Sequence, residues 1–182
     1  RHWFVLADGY EFSIEANPAD LSAEKVASLA TNGVTRISLG GQSFVPEKLK
    51  ILERDQTPDC IAKAVALGRA AGMNVSLDLI FGTPGESLEA WRTDLARAVE
   101  LRPDHISTYG LTFERGTTFW GRLMRGELAR ADEETERAMY LAAIDELSAA
   151  GFEHYEVSNF ARPGQRCRHN EVYWAGESYF AA

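Results

Sequence analysis

The stretch Asn74-Val75-Ser76-Leu77-Asp78-Leu79-Ile80-Phe81, closed by Gly82-Thr83-Pro84-Gly85, decides the fold class. A short, nearly unbroken apolar run ending in a glycine and proline turn reads as a strand buried on both faces, as in a parallel sheet. Period-two alternation puts Ser76, Asp78 and Ile80 on one face, plausible as a barrel interior, and the apolar set on the other. A carboxylate inside such a run must find donors or a cation, because an unpaired buried charge is very costly. Two explanations of Asp78 stand side by side at this point: a structural residue satisfied by backbone amides or a neighbouring arginine, and one wall of a binding site.

Outward from this strand the same pattern recurs. A strand over residues 10–16 precedes a helix over 23–31, with Ser22 as N-cap and Gly33 past its end. A strand over 36–39 precedes a helix over 58–71, capped by Thr57, started by Pro58 and closed by Gly72. After the deciding strand, Leu88, Trp91, Leu95, Ala98 and Val99 recur at helical spacing until Pro103 bars continuation. A strand over 105–111 follows, then a long helix over 133–150 between Asp132 and Gly151, a short strand over 153–157 and a polar loop. Strands alternating with helices imply an α/β fold with parallel βαβ crossovers. Four such strands are too few for the common eight-strand barrel. The expectation is an incomplete parallel (β/α) barrel over residues 1–130, with a helical and irregular C-terminal extension over 131–182.

Composition narrows the function classes. The chain has 182 residues, 45% hydrophobic and 25% charged, with a net charge of −8 and a pI near 5.1. Such an acidic chain offers no global basis for binding nucleic acid or an anionic membrane. It shows neither a long apolar run nor a leader peptide, so no integral membrane segment is expected. Two cysteines, Cys60 and Cys167, make no disulfide framework, and a reducing, cytoplasmic setting is the default. The opening Arg1-His2-Trp3-Phe4-Val5-Leu6 and the closing Tyr179-Phe180-Ala181-Ala182 read as cut ends of a longer protein.

Ligands of parallel α/β folds bind beyond the carboxyl ends of the strands. Glu15 and Asn17, Gln42 and Ser43, and Thr112 fall there, beside the turns Gly40-Gly41 and Gly82-Thr83-Pro84-Gly85. Glycine turns let a ligand approach backbone amides, although they are common. No Walker A loop, dinucleotide fingerprint, zinc-protease motif or nucleophile elbow is present.

Taken together, Glu15-Ala16-Asn17-Pro18, Ser38-Leu39-Gly40-Gly41-Gln42-Ser43, Leu52-Glu53-Arg54 and Asp78-Leu79-Ile80-Phe81-Gly82 are ordered and spaced as in one family. Pro103-Asp104-His105-Ile106-Ser107-Thr108-Tyr109, Glu114-Arg115-Gly116-Thr117 and Tyr155-Glu156-Val157-Ser158-Asn159-Phe160-Ala161 extend the match over nearly the whole chain. It resembles the coproporphyrinogen oxidase-like branch of the radical-SAM family. The resemblance implies a partial (β/α) barrel holding S-adenosylmethionine beside a [4Fe-4S] cluster. It places Glu15, Gln42, Arg54 and Asp78 on the cofactor's polar wall, with Thr112 contacting through its backbone. In the oxidase branch these positions hold a second S-adenosylmethionine. The family's three-cysteine cluster motif has no counterpart in this sequence and would lie upstream of Arg1. Cys60 and Cys167 stand too far apart to replace it. By itself the chain is therefore expected to be inactive, with no catalytic residue of its own.

Two functions compete within the branch. One is oxygen-independent oxidative decarboxylation of coproporphyrinogen III; the other is binding haem and delivering it to haem-accepting proteins. His169-Asn170-Glu171-Val172-Tyr173-Trp174 resembles the His-Asn-x-x-Tyr-Trp motif of the HemW group of haem chaperones and favours the second. By that resemblance His169 is the axial ligand to haem iron, with Cys167 the alternative thiolate, and Tyr173 and Trp174 pack on the porphyrin. Arg162, Arg166 and Arg168 would meet its propionates. The bland alternative is a surface loop in which His169 bonds locally, Trp174 covers the barrel edge and the arginines are solvated. Besides haem or porphyrin and the haem acceptors, a homodimer remains open as a partner.

Overall fold

A computed structural model describes residues 8–178; the two end stretches read as cut ends, 1–6 and 179–182, lie outside them. The elements in chain order are β1 (Ser13–Ala16), α1 (Ala23–Thr31), β2 (Arg36–Gln42), α2 (Pro46–Ile51), α3 (Pro58–Ala70), β3 (Asn74–Phe81) and α4 (Leu88–Glu100). They continue with β4 (His105–Gly110), α5 (Thr118–Met124), α6 (Glu133–Ala149), β5 (Glu153–His154), β6 (Asn159–Ala161) and α7 (Arg168–Ala175). One six-stranded sheet has the order β1-β2-β3-β4-β6-β5. Its first four strands are parallel, and the short β5–β6 hairpin adds antiparallel to β4. The sheet stays open, as an incomplete barrel requires.

The deciding strand behaves as its sequence dictates. Val75, Leu77 and Leu79 are fully buried against the helices, beside Ile37 and Leu39 of β2 and Ile106 of β4. Trp91 and Leu95 of α4 and Met139, Ala143 and Leu147 of α6 complete that core. The Trp91 indole N–H donates to the Met139 carbonyl at 2.8 Å, which satisfies the one polar atom this ring brings inside. Register places Ser76 beside Ser38 and His105, Asp78 beside Ser107, and Glu15 beside Ser38. One face of the sheet is thus apolar and helix-covered, and the other carries the polar side chains.

Local chemistry explains the boundaries. Ser22, Thr57, Ser87, Thr117 and Asp132 each accept an N–H of the following first turn. β1 is shorter than the expected strand over 10–16: the Phe12 carbonyl accepts both the Thr35 and Arg36 N–H groups, ahead of the regular ladder. β2 runs on to Gln42 through a register shift after Leu39. Of the expected strand over 153–157 only Glu153–His154 forms; a second short strand, Asn159–Ala161, and α7 lie in the stretch expected as a polar loop. α2, α5 and α7, at 6, 7 and 8 residues, are too short for apolar periodicity to reveal.

Gly68 tests how tightly α3 seats on the sheet. A Cβ there would lie 2.9 Å from Val75 Cγ2 and 3.1 Å from Ile37 Cγ2. In an open helix Gly68→Ala would gain about 1 kcal/mol, but crowding a packed core costs about 1–3 kcal/mol. A lower urea midpoint for Gly68→Ala is expected; a higher one would mean that the helix is not pressed on these two side chains.

Candidate S-adenosylmethionine and haem sites

Glu15, Gln42, Arg54 and Asp78 come together. They line one cavity of about 270 Å³ at the carboxyl ends of β1, β2 and β3, with Ser38 and the Gly40 turn. A second cavity, of about 430 Å³, shares Glu15, Gln42 and Asp78 and extends past Ile80 and Tyr109 to Thr112. Thr112 therefore belongs to the far side of the cleft rather than to the wall that holds Arg54.

Asp78 is half-buried, and neither an arginine nor backbone amides hold it. The Ser38 hydroxyl donates to its two oxygens at 3.2 and 3.0 Å. Withdrawal from water raises its pKa; the hydroxyls of Ser107 and Ser38 pull the other way, and the charge of Glu15 adds to the rise. The carboxylate is thus supported by neutral donors while its charge faces the cavity. Arg54 follows the end of α2, where Glu53 takes φ 55° and the Arg54 N–H donates to the Leu49 carbonyl at 2.9 Å. This is the helix-end position anticipated for a surface charge, yet it lies on the cavity wall.

Gln42 is held in an unusual backbone state, φ 62°, that side-chain-bearing residues rarely adopt. Two sets of contacts fix it. The Gln56 amide donates to the Gly40 carbonyl at 2.8 Å and also to the Gly41 carbonyl. Directly after Gln42, the Ser43 hydroxyl and the Phe44 N–H donate to Asp94 at 2.7 and 2.6 Å. Asp94 is fully buried and pairs with Lys48 at 2.9 Å; Lys48 also pairs with Glu86, which accepts the Thr83 N–H at 2.9 Å. Lys48, Asp94 and Glu86 thereby tie the loop after β2 to the loop after β3. Sequence reasoning missed this cluster. Its signal was available: Asp94 lies three residues after Trp91 and four before Ala98, on the apolar stripe of α4.

The His169 segment is the helix α7, mostly exposed, with Asn170 and Val172 half-buried. Positions four apart share a helix face, so Asn170 and Trp174 form one pair and His169 and Tyr173 another. The Asn170 amide donates to the Tyr155 hydroxyl at 3.2 Å and the Trp174 indole to Glu156 at 3.0 Å. Tyr173 and Trp174 are 62% and 60% exposed, a large aromatic surface to leave in water. Cys167, at the N-cap, sits 3.6 Å from Glu11, and burial raises its thiol pKa, which disfavours a thiolate. Each of the three arginines has a partner: Arg162 donates to the Ala150 carbonyl and covers Phe152, Arg166 pairs with Glu153, and Arg168 donates to the Gly9 carbonyl.

The model of the Radical SAM superfamily matches residues 3–98. The chain belongs to the radical SAM superfamily. It is 44% identical over 183 residues to "Heme chaperone HemW" of Mycobacterium tuberculosis (strain ATCC 25618 / H37Rv), covering 100% of this chain and 47% of that protein. It is 38% identical to the Bacillus subtilis (strain 168) "Heme chaperone HemW", covering 96% of this chain and 46% of that protein. It is 36% identical to "Radical S-adenosyl methionine domain-containing protein 1, mitochondrial" of Danio rerio, with 96% and 39% covered. The chain thus spans about half the length, or less, of these relatives. Among solved structures, coproporphyrinogen III oxidase (HemN) from Escherichia coli superposes with a TM-score of 0.76 at 24% identity, over 91% of this chain and 38% of that one. At that identity the likeness is one of fold.

Membership brings S-adenosylmethionine and a [4Fe-4S] cluster into consideration. Among the described residues no group of three His, Cys, Asp or Glu side chains could hold a metal. The cleft does suit S-adenosylmethionine: it offers carboxylates for the methionyl ammonium or ribose hydroxyls and a guanidinium for the methionyl carboxylate, in volumes near the usual ligand range of about 300–1,000 Å³.

The pH behaviour of Asp78 is a direct check on its surroundings. Because its folded pKa is raised, the fold carries no penalty below the ordinary carboxylate range and loses stability as pH rises through the raised value. Asp78→Asn should therefore raise the denaturation midpoint at neutral pH, with a gain that vanishes on acidification below that range. A loss of stability at neutral pH would show that the ionised carboxylate is a structural anchor.

Proposed function

We propose that this chain forms the S-adenosylmethionine-holding part of a haem chaperone of the HemW kind, which binds haem on α7 and passes it to haem-accepting proteins. The observation that carries this is the His169–Trp174 motif folded as an exposed helix, with an imidazole and two aromatic side chains on its outer surface. Relatives named as haem chaperones at 36–44% identity support the same assignment.

Each chain residue then has a task. Arg54 forks onto the cofactor's carboxylate, Glu15 and Asp78 accept from its ammonium or ribose, Gln42 completes the wall and Thr112 contacts through its backbone. When bound, S-adenosylmethionine and the cluster supply one-electron chemistry, the cluster being ligated by residues other than Cys60 and Cys167. On α7, His169 ligates the haem iron, while Tyr173 and the ring of Trp174 cover the porphyrin face. Cys167 is the weaker ligand, since its thiol is held protonated. A guanidinium carries five N–H donors, so Arg162, Arg166 and Arg168 remain the candidates for the haem propionates beside their present partners. Residues 1–130 supply the partial barrel and 131–182 begin the C-terminal region; self-association and a cytoplasmic setting belong to the same proposal.

Titration of haem into the full-length protein, followed at the Soret band, tests it. Wild type should bind, and His169→Ala should lose at least about tenfold in affinity, equivalent to about 1.4 kcal/mol. Equal binding by the two would remove His169 from the role. Absence of binding by either would sink the chaperone assignment and leave coproporphyrinogen decarboxylation as the activity to assay.

A further inference from the structure

α7 is mostly exposed, with Asn170 and Val172 half-buried and no side chain fully buried. Polar contacts help to place it: Arg168 reaches Gly9 and Glu11, Trp174 reaches Glu156, and two more meet on a single oxygen. The half-buried Tyr155 hydroxyl accepts the Asn170 amide N–H at 3.2 Å and the Cys167 backbone N–H at 3.4 Å. It also lies 2.7 Å from His105 Nε2, and His105 Nδ1 lies 2.6 Å from the Ser76 hydroxyl. His105 is 1% exposed, on the polar face of β4 beside Ser76 of β3.

Counting protons fixes the direction of this chain. A tyrosine hydroxyl has one proton and two lone pairs. Asn170 and Cys167 donate to the lone pairs, so the single proton of Tyr155 goes to His105 Nε2. That nitrogen must then be bare, and His105 carries its proton on Nδ1 and donates it to the Ser76 oxygen. The arrangement requires a neutral imidazole. Burial and the nearby Arg36 charge supply one by lowering the His105 pKa to about 3.

We propose that Tyr155, oriented by His105 and Ser76, is a positioning residue that helps to dock α7 and thereby sets His169 for haem. The motif divides accordingly: Asn170 and Trp174 anchor the helix to residues 155–156, and His169 and Tyr173 occupy the adjacent face. The haem part of this inference rests on the function proposed above; the anchoring part does not.

The test is Tyr155→Phe in the full-length protein, which keeps the ring and removes only the hydroxyl, with Asn170→Ala as a second variant that leaves the interior untouched. Two readouts are taken: hydrogen exchange of the peptide covering residues 167–176, and haem titration with the Soret and axial-ligand spectra. Exchange across α7 should rise at least about fivefold in both variants while the global urea midpoint barely moves. Haem affinity should fall by a similar factor with a changed ligation spectrum. Unchanged exchange in both variants overturns the anchoring. Faster exchange with wild-type haem spectra overturns the positioning role. Failure of the haem assignment itself shows separately, as His169→Ala binding haem like wild type.

Discussion

The constraint on which this molecule depends is that β3 must serve two different environments at once. Its Val75, Leu77 and Leu79 side is sealed under α3, α4 and α6, and its Ser76 and Asp78 side carries polar groups. Parallel strands achieve this only if each neighbour alternates in phase. β2 and β4 do so, matching Leu39 to Leu77 and Ile106 to Leu77 on one face, and Ser38 to Ser76 and Ser107 to Asp78 on the other. Hydroxyls from the flanking strands then hold a carboxylate without neutralising it. A guanidinium in the same place would neutralise the carboxylate and make it a poorer ligand for a cation.

Precision at the rim comes from a different source. Gln42 adopts a left-handed backbone that costs on the order of 1–3 kcal/mol and persists only where its surroundings over-determine it. Gln56 from one side and the Ser43–Asp94–Lys48–Glu86 cluster from the other provide that determination. A buried ion cluster is weak support for stability alone. Here it couples two strand-end loops that meet at the cleft, which gives it a reason to exist beyond stability.

Much of this was legible in the sequence. The apolar run over β3 with one carboxylate inside it announced a parallel sheet and its polar face, and the N-caps set most helix starts. The motif match gathered Glu15, Gln42, Arg54 and Asp78 before any geometry placed them in one cavity. Less legible were contacts between residues far apart in sequence. Nothing local says that Ser38 and Ser107, rather than an arginine, support Asp78, or that Tyr155 reaches His105. α7 was hidden too: eight residues without an apolar stripe carry no periodic signal, so a polar loop was the natural expectation. The carbonyl and carboxylate partners of the arginines near it, Gly9 above all, were equally out of local view.

The central claim is that Asp78 is kept for a ligand rather than for the fold. Calorimetric titration of S-adenosylmethionine into the full-length protein, wild type against Asp78→Asn, addresses it most directly. The amide keeps the shape and loses the charge, so affinity should drop at least about tenfold, or about 1.4 kcal/mol, in a protein that remains folded. Undiminished affinity in a folded Asp78→Asn protein would contradict the account and return Asp78 to a structural role.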